Sequence, residues 1–283
     1  MFLFLLLSCF GGAELAQGVE EPLTLSFSAA ALPVSSEPEL RAALSSPSPR
    51  TLLLTRALTL RAPLALPSHT ELLGAAGASL ELAAGVPGSA LRIDDGATDV
   101  AVRDVRVALP LGEASWAGRP AALAVRGATR VALEGLVVEG GVSLAGGARV
   151  ALSWSDVSNA RGAQNGTCVY VPGCGDSRTL TRCALTVHDN AIHDCRFDGV
   201  SIYDAAAQGV LLGAQDSASA GQPNGGCTVG AVVRNNDVRG VDEMGIRVAN
   251  DVECAAALNN VSYNRIAEWG QGSKANGGDG ADR

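Results

Sequence analysis

Two stretches decide the reading of this chain: Asn190-Ala191-Ile192-His193-Asp194 with Gly199-Val200-Ser201-Ile202, and Asn236-Asp237-Val238-Arg239-Gly240 with Gly245-Ile246-Arg247-Val248. Asn, branched aliphatic, Gly and a second aliphatic pair recur at one offset of 46 residues. A fixed period of this kind is the signature of a solenoid, in which each turn of chain buries its apolar side only against its neighbours. We read the offset as two coils of about 23 residues. Alternating Val and Ile point inward, Gly makes the corner, and Asn occupies the tight turn. Stacked Asn side chains are expected to form a hydrogen-bonded ladder.

Working outward, Val100, Val102, Val105 and Val107 form one alternating block, and Val131, Leu133, Leu136 and Val138 the next. Thr98-Asp99-Val100-Ala101-Val102 and Thr129-Arg130-Val131-Ala132-Leu133 lie 31 residues apart, and Arg149-Val150-Ala151-Leu152 follows 19 residues later. The longer interval is explained if residues 112–120, which carry Trp116, leave the coil. Upstream, Leu58-Thr59-Leu60 and Ala78-Ser79-Leu80-Glu81-Leu82 are short strands broken at Pro63, Pro67, Gly74 and Gly77. Ser36-Glu37-Pro38-Glu39 has the spacing of a helix capping box, with Leu40, Ala43 and Leu44 on one face, so a short helix opens the domain. Downstream, Asn264-Arg265-Ile266 starts a third copy, and the C-terminal end reads as uncapped, with residues 271–283 as a Gly-rich tail or a truncated coil.

Composition agrees with a narrow, small-residue interior: 283 residues, 34 Gly, 47% hydrophobic but only 4% aromatic. The formal charge is −8. No broad cationic surface for nucleic acid or anionic lipid follows from it, and polyuronates are repelled unless a local Arg cluster or a divalent cation intervenes. Met1 to Leu7 is apolar and is followed by small residues, which reads as a signal peptide over residues 1–18 cut after Gly18; a lipid-anchored Cys9 is the alternative. No later segment is long and apolar enough to span a membrane. Removing the leader leaves Cys168, Cys174, Cys183, Cys195, Cys227 and Cys254. In an oxidising compartment these favour disulfides, of which only the short Cys168 to Cys174 loop is preferred on spacing; buried thiols are the alternative. Asn165-Gly166-Thr167 and Asn260-Val261-Ser262 are glycosylation sequons.

The Asn-x-[Ile/Val]…Gly-[Val/Ile]-x-[Ile/Val] coils resemble the right-handed parallel β-helix repeats of the pectate-lyase-like superfamily. Leu58 to Leu82, with Pro63-Leu64-Ala65-Leu66-Pro67-Ser68 leading to Leu73-Gly74, is similar to the first coils of such proteins. The resemblance covers roughly residues 36–270. It implies an all-β solenoid with a short N-terminal capping helix, secreted or at the cell surface, associated with a polysaccharide or other glycan. It also implies lyase, hydrolase or epimerase activity from side chains projecting outward off successive coils.

Those outward residues are His193, Asp194, Arg196 and Asp198 in one copy and Arg239, Asp242 and Glu243 in the other, with Tyr203, Asp204 and Arg247 on the strands that follow. β-Elimination or epimerisation of a uronic acid needs the sugar carboxylate neutralised and the neighbouring C–H proton removed. Arg239 or Arg247 suits the first task and His193 the second. Asp194, Asp198, Asp242 and Glu243 can instead assemble a Ca²⁺ site that neutralises, and two of these carboxylates suffice for hydrolysis. Trp116, Trp154 and Trp269 are either sugar platforms or packing residues. The rival reading is a non-catalytic glycan-binding or structural surface protein, or an inactive fragment of a larger enzyme, in which the mixed charges are an ordinary soluble exterior.

Overall fold

The computed structural model describes residues 30–46, 49–110, 120–146, 148–159, 166–171, 184–195, 208–213, 231–241, 244–249 and 260–269, with isolated positions before residue 30. Among them the chain winds as a parallel β-helix. Its strands fall into three parallel sheets of nine, eight and seven strands, which we number 1, 2 and 3 in the order the chain visits them. One coil, for example, runs through Thr129–Glu134 on sheet 1, Val137–Glu139 on sheet 2 and Val142–Ala145 on sheet 3. The next runs through Ala148–Ser153, Asp156–Asn159 and Val169–Val171.

Register explains why so few residue types suffice. On sheet 1, Leu52, Leu72, Val102, Leu133, Leu152, Val187, Val233 and Val261 are successive partners, one per coil. On sheet 2 the same column reads Leu58, Leu80, Val107, Val138, Val157, Ile192, Val238 and Ile266. Coils stacked at the strand spacing of about 4.8 Å bring each aliphatic side chain against its counterpart, so the core is a set of continuous files. Nearly all are fully buried, and each contributes roughly 1.5–3 kcal/mol relative to exposure. The helix Glu37–Leu44 closes the N-terminal end. Ser36 caps it by accepting from the Glu39 amide, while the Glu39 carboxylate accepts from the amide and hydroxyl of Ser35, and Leu40 and Leu44 turn into the core.

The Asn ladder is present. Asn190 Nδ2 donates to Asn236 Oδ1 at 2.9 Å, and Asn236 Nδ2 donates to Asn264 Oδ1 at 2.9 Å. Each Asn oxygen also accepts the backbone amide of the rung before it. Ser155 extends the file, its amide donating to Asn190 Oδ1 and its hydroxyl accepting from Leu136 N. Two details differ from expectation. Because Asn190 and Asn236 touch, the 46-residue offset is one coil and not two of 23. And the strand carrying Gly245-Ile246 pairs in register with Gln208–Gly213, placing Ile246 beside Val210 and not beside Val200, which lies outside the described residues. A repeat count cannot separate a long excursion from an additional coil; hydrogen bonds can.

The corner itself is made by the residue before the ladder. Asp104, Gly135, Trp154, Asp189, Asn235 and Tyr263 all have φ between 52° and 64°. One left-handed residue between sheets 1 and 2 swings the chain round the corner and sends the following side chain inward.

The preferred Cys168–Cys174 pairing gives way to a different bridge. Cys168 is bonded to Cys195, with Cα atoms 5.4 Å apart and a sequence separation of 27. Short spacing favours a pairing in a disordered chain, whereas here the coil brings Cys195 of one turn over Cys168 of the turn before. Cys174 lies outside the described residues, as do residues 1–18, residues 271–283 and Asn165. No helix among the described residues is long and apolar enough to cross a membrane.

Candidate functional site

The outer face of sheet 2 carries a linked set of chemically able side chains. In the strand Ala191–Cys195, Ile192 and Cys195 face the core and His193 faces out. Strict alternation would also turn Asp194 inward and Cys195 outward. A bulge prevents this: the register with the preceding coil shifts between Ser158 and Asn159, and Asp194 adopts φ 52°. The extra residue leaves Asp194 on the surface and returns Cys195 to the core, where it meets Cys168. The bulge continues into the next coil at Gly240, φ 58°, where an added Cβ would lie 3.4 Å from the Asp194 amide nitrogen and Oδ1.

The bulge also builds a charge cluster. His193 Nδ1 is 2.9 Å from Asp194 Oδ2, and Nε2 is 2.7 Å from Asp156 Oδ1 on the coil before. Burial, the largest single influence on the ring, disfavours its charged form, but the two carboxylates together outweigh it and raise the pKa of His193. Beside it in register, one strand further on, stands Arg239. Arg239 is exposed and makes no ion pair among the described residues. Asp237, two residues earlier in the same strand, is held 2.9 Å from Arg265 Nε.

The structure thus brings His193, Asp194 and Arg239 together on adjacent strands of sheet 2. Arg247 is in the strand Met244–Ala249 on sheet 3, in register with Leu211, and so belongs to a different sheet from Arg239. Asp198, Asp242 and Glu243 lie outside the described residues, as do Arg196, Tyr203 and Asp204. Of the four carboxylates considered for Ca²⁺, only Asp194 is described, and it is engaged with His193. No group of three or more His, Cys, Asp or Glu suited to a metal occurs among the described residues. Of the tryptophans, Trp154 is 64% exposed, Trp116 lies outside the described residues, and Trp269 is described only as the last residue of a strand.

Asp156 was missed. The signal was available: Ser155 occupies the ladder position that Asn190, Asn236 and Asn264 fill later, so Ser155-Asp156-Val157-Ser158 aligns with Asn190-Ala191-Ile192-His193. Ser in place of Asn conceals that rung of the ladder.

No family model matches the sequence, and no curated protein is similar to it. Among solved structures, the crystal structure of an alginate lyase from Paenibacillus sp. str. FPU-7 is similar with a TM-score of 0.48 and 13% sequence identity, over 86% of this chain and 98% of that one.

Proposed function

We propose that this chain is an extracytoplasmic, polysaccharide-acting β-helix of the pectate-lyase-like superfamily, and that the outer face of sheet 2 engages an acidic sugar unit. The observation that carries the reading is the pairing in register of Arg239, an exposed cation with no ion pair among the described residues, with a His193 held by two carboxylates. Arg239 is placed to neutralise a uronate carboxylate, the step on which C–H acidity and hence β-elimination or epimerisation depends. The geometry argues for a changed role at His193. Both ring nitrogens are engaged and the imidazolium is favoured, so proton donation to a departing glycosidic oxygen suits it better than proton abstraction. Donation would break the contact to the half-exposed Asp156 and leave a neutral ring, which takes its proton back from solvent and re-forms the pair. The base falls to another residue, and Asp198, Asp242 and Glu243 are the carboxylates the sequence offers. The buried disulfide supports an oxidising compartment.

A second reading rests on the same contact. Two carboxylates closing both nitrogens of His193 is also what a purely structural histidine looks like, and this favours a glycan-binding surface without catalysis. The test is incubation of the purified protein with a panel of polyuronates, with and without Ca²⁺, following ultraviolet absorbance of unsaturated ends and, in parallel, new reducing ends. Absorbance that is lost in Arg239→Ala supports elimination at this face. Reducing ends without absorbance indicate hydrolysis. Silence in both assays, together with Arg239-dependent binding, selects the second reading.

A further inference from the structure

The corner between sheets 1 and 2 carries an anomaly that the sheet 2 face does not explain. Every coil from Asp104 onward places one left-handed residue there, and at four of the six positions it is Asp, Gly or Asn, the types that tolerate this conformation. The other two are Trp154, φ 52°, and Tyr263, φ 56°. Bulky residues adopt such a conformation rarely and only against steric resistance. Packing does not repay it, because Trp154 is 64% and Tyr263 85% exposed. Large aromatic rings are thus held on the outside of the solenoid at positions where Asn would relieve the backbone.

We propose that this corner is a carbohydrate-binding ridge, on which an extended neutral pyranose chain lies along the solenoid axis and stacks ring faces on Trp154 and Tyr263. Three coils separate the two rings, about 14 Å at the strand spacing, and a pyranose ring advances an extended glycan by a length close to one coil. Between them the same corner presents Asp189 and Asn235, which offer acceptors and an amide donor for sugar hydroxyls. His188, whose Nδ1 is 2.6 Å from Asp189 Oδ2, and the exposed Arg234 stand beside them. Between the two rings the ridge presents one carboxylate, Asp189, with the exposed Arg234 alongside, so the site has no excess of positive charge, and on a chain of formal charge −8 an uncharged glycan fits better than a polyanion. The rings supply apolar faces with a polar edge, which a sugar's C–H face and hydroxyls complement. This inference is independent of the sheet 2 reading, since it uses neither His193 nor Arg239.

The experiment is calorimetric titration of the full chain with cellohexaose, xylohexaose and mannohexaose, with a polyuronate oligomer alongside, using Trp154→Asn and Tyr263→Asn. Asn is the natural occupant of this corner at position 235, so each variant keeps the turn. The wild type is expected to bind at least one neutral hexaose, each variant to bind it about tenfold more weakly, and thermal stability to hold or rise. The proposal is overturned if no neutral hexaose is bound by the wild type, if binding is unchanged in both variants, or if thermal stability falls, showing that the rings pack against the solenoid. Loss of polyuronate binding alone also overturns it, and that arm stays distinct from Arg239→Ala in the activity assay.

Discussion

Asn190 and Asn236, 46 residues apart in sequence, are adjacent rungs of one ladder, the Nδ2 of the first 2.9 Å from the Oδ1 of the second. Both are almost fully buried. Asn236 serves several groups at once: it accepts from the Asn190 amide and side chain and donates to Val187 O and Asn264 Oδ1. Such a file is favourable only when it is complete.

Asn236→Ala is therefore expected to lower unfolding free energy by about 2–4 kcal/mol, because it strands buried partners on both neighbouring coils. Urea denaturation at constant m-value measures it. Asn236→Asp should be at least as damaging, since a carboxylate cannot donate to Val187 O and would face the oxygen of Asn264. A loss below about 0.5 kcal/mol in both variants would mean the ladder is dispensable.

The Cys168–Cys195 bridge closes a loop of 27 residues. Constraining an unfolded chain to that extent contributes roughly 3–4 kcal/mol. Reduction, or the Cys168→Ala and Cys195→Ala pair, should lower the thermal midpoint by a corresponding amount. Peptide mapping under non-reducing conditions should recover residues 168 and 195 in one cross-linked fragment; a fragment joining residues 168 and 174 would refute the assignment.

His193 sets a pH dependence whose sign follows from its raised pKa. A group bound more tightly to its proton in the folded state adds stability that is fully present below the unfolded value of about 6.5 and is lost as pH rises through the elevated folded value. Asp156→Asn removes one of the two carboxylates and should bring the His193 titration down. With only three histidines in the chain, NMR titration can assign each. An unshifted His193 in that variant would disprove the contact to Asp156.

On sheet 1, Arg103 Nη1 lies 2.8 Å from Glu71 Oε1 and its Nε 3.2 Å from Glu134 Oε2. Glu71 is 7% exposed, so Arg103→Met leaves a buried carboxylate without its guanidinium partner, at a cost of about 3–5 kcal/mol. Adding Glu71→Leu to Arg103→Met should recover most of that loss. The double-mutant cycle, read by chemical denaturation, tests whether the pair matters as a pair.

Much of this architecture was legible from sequence. Period-two alternation in Val100 to Val107 and Val131 to Val138 marked which residues face inward, because a strand's side chains alternate whatever surrounds them. The offset joining Asn190 to Asn236 marked a repeat, and Ser36 with Glu39 marked a helix start, both through rules local to a few residues. His193 and Arg239 came together for the same reason: equal positions in consecutive copies become neighbours once copies stack. What sequence could not supply was anything decided across coils. Whether 46 residues held one turn or two depended on which amide met which carbonyl. The partner of Cys168 depended on which thiol the next coil carried over it, and proximity along the chain pointed to the wrong one. The bulge at Asp194 turned a residue outward against alternation and made a doubly held histidine out of what read as a free base. Local propensity acts within one coil and is written in its residues, but register, bulge and bridge arise from contacts between coils dozens of residues apart, and only the folded stack determines them.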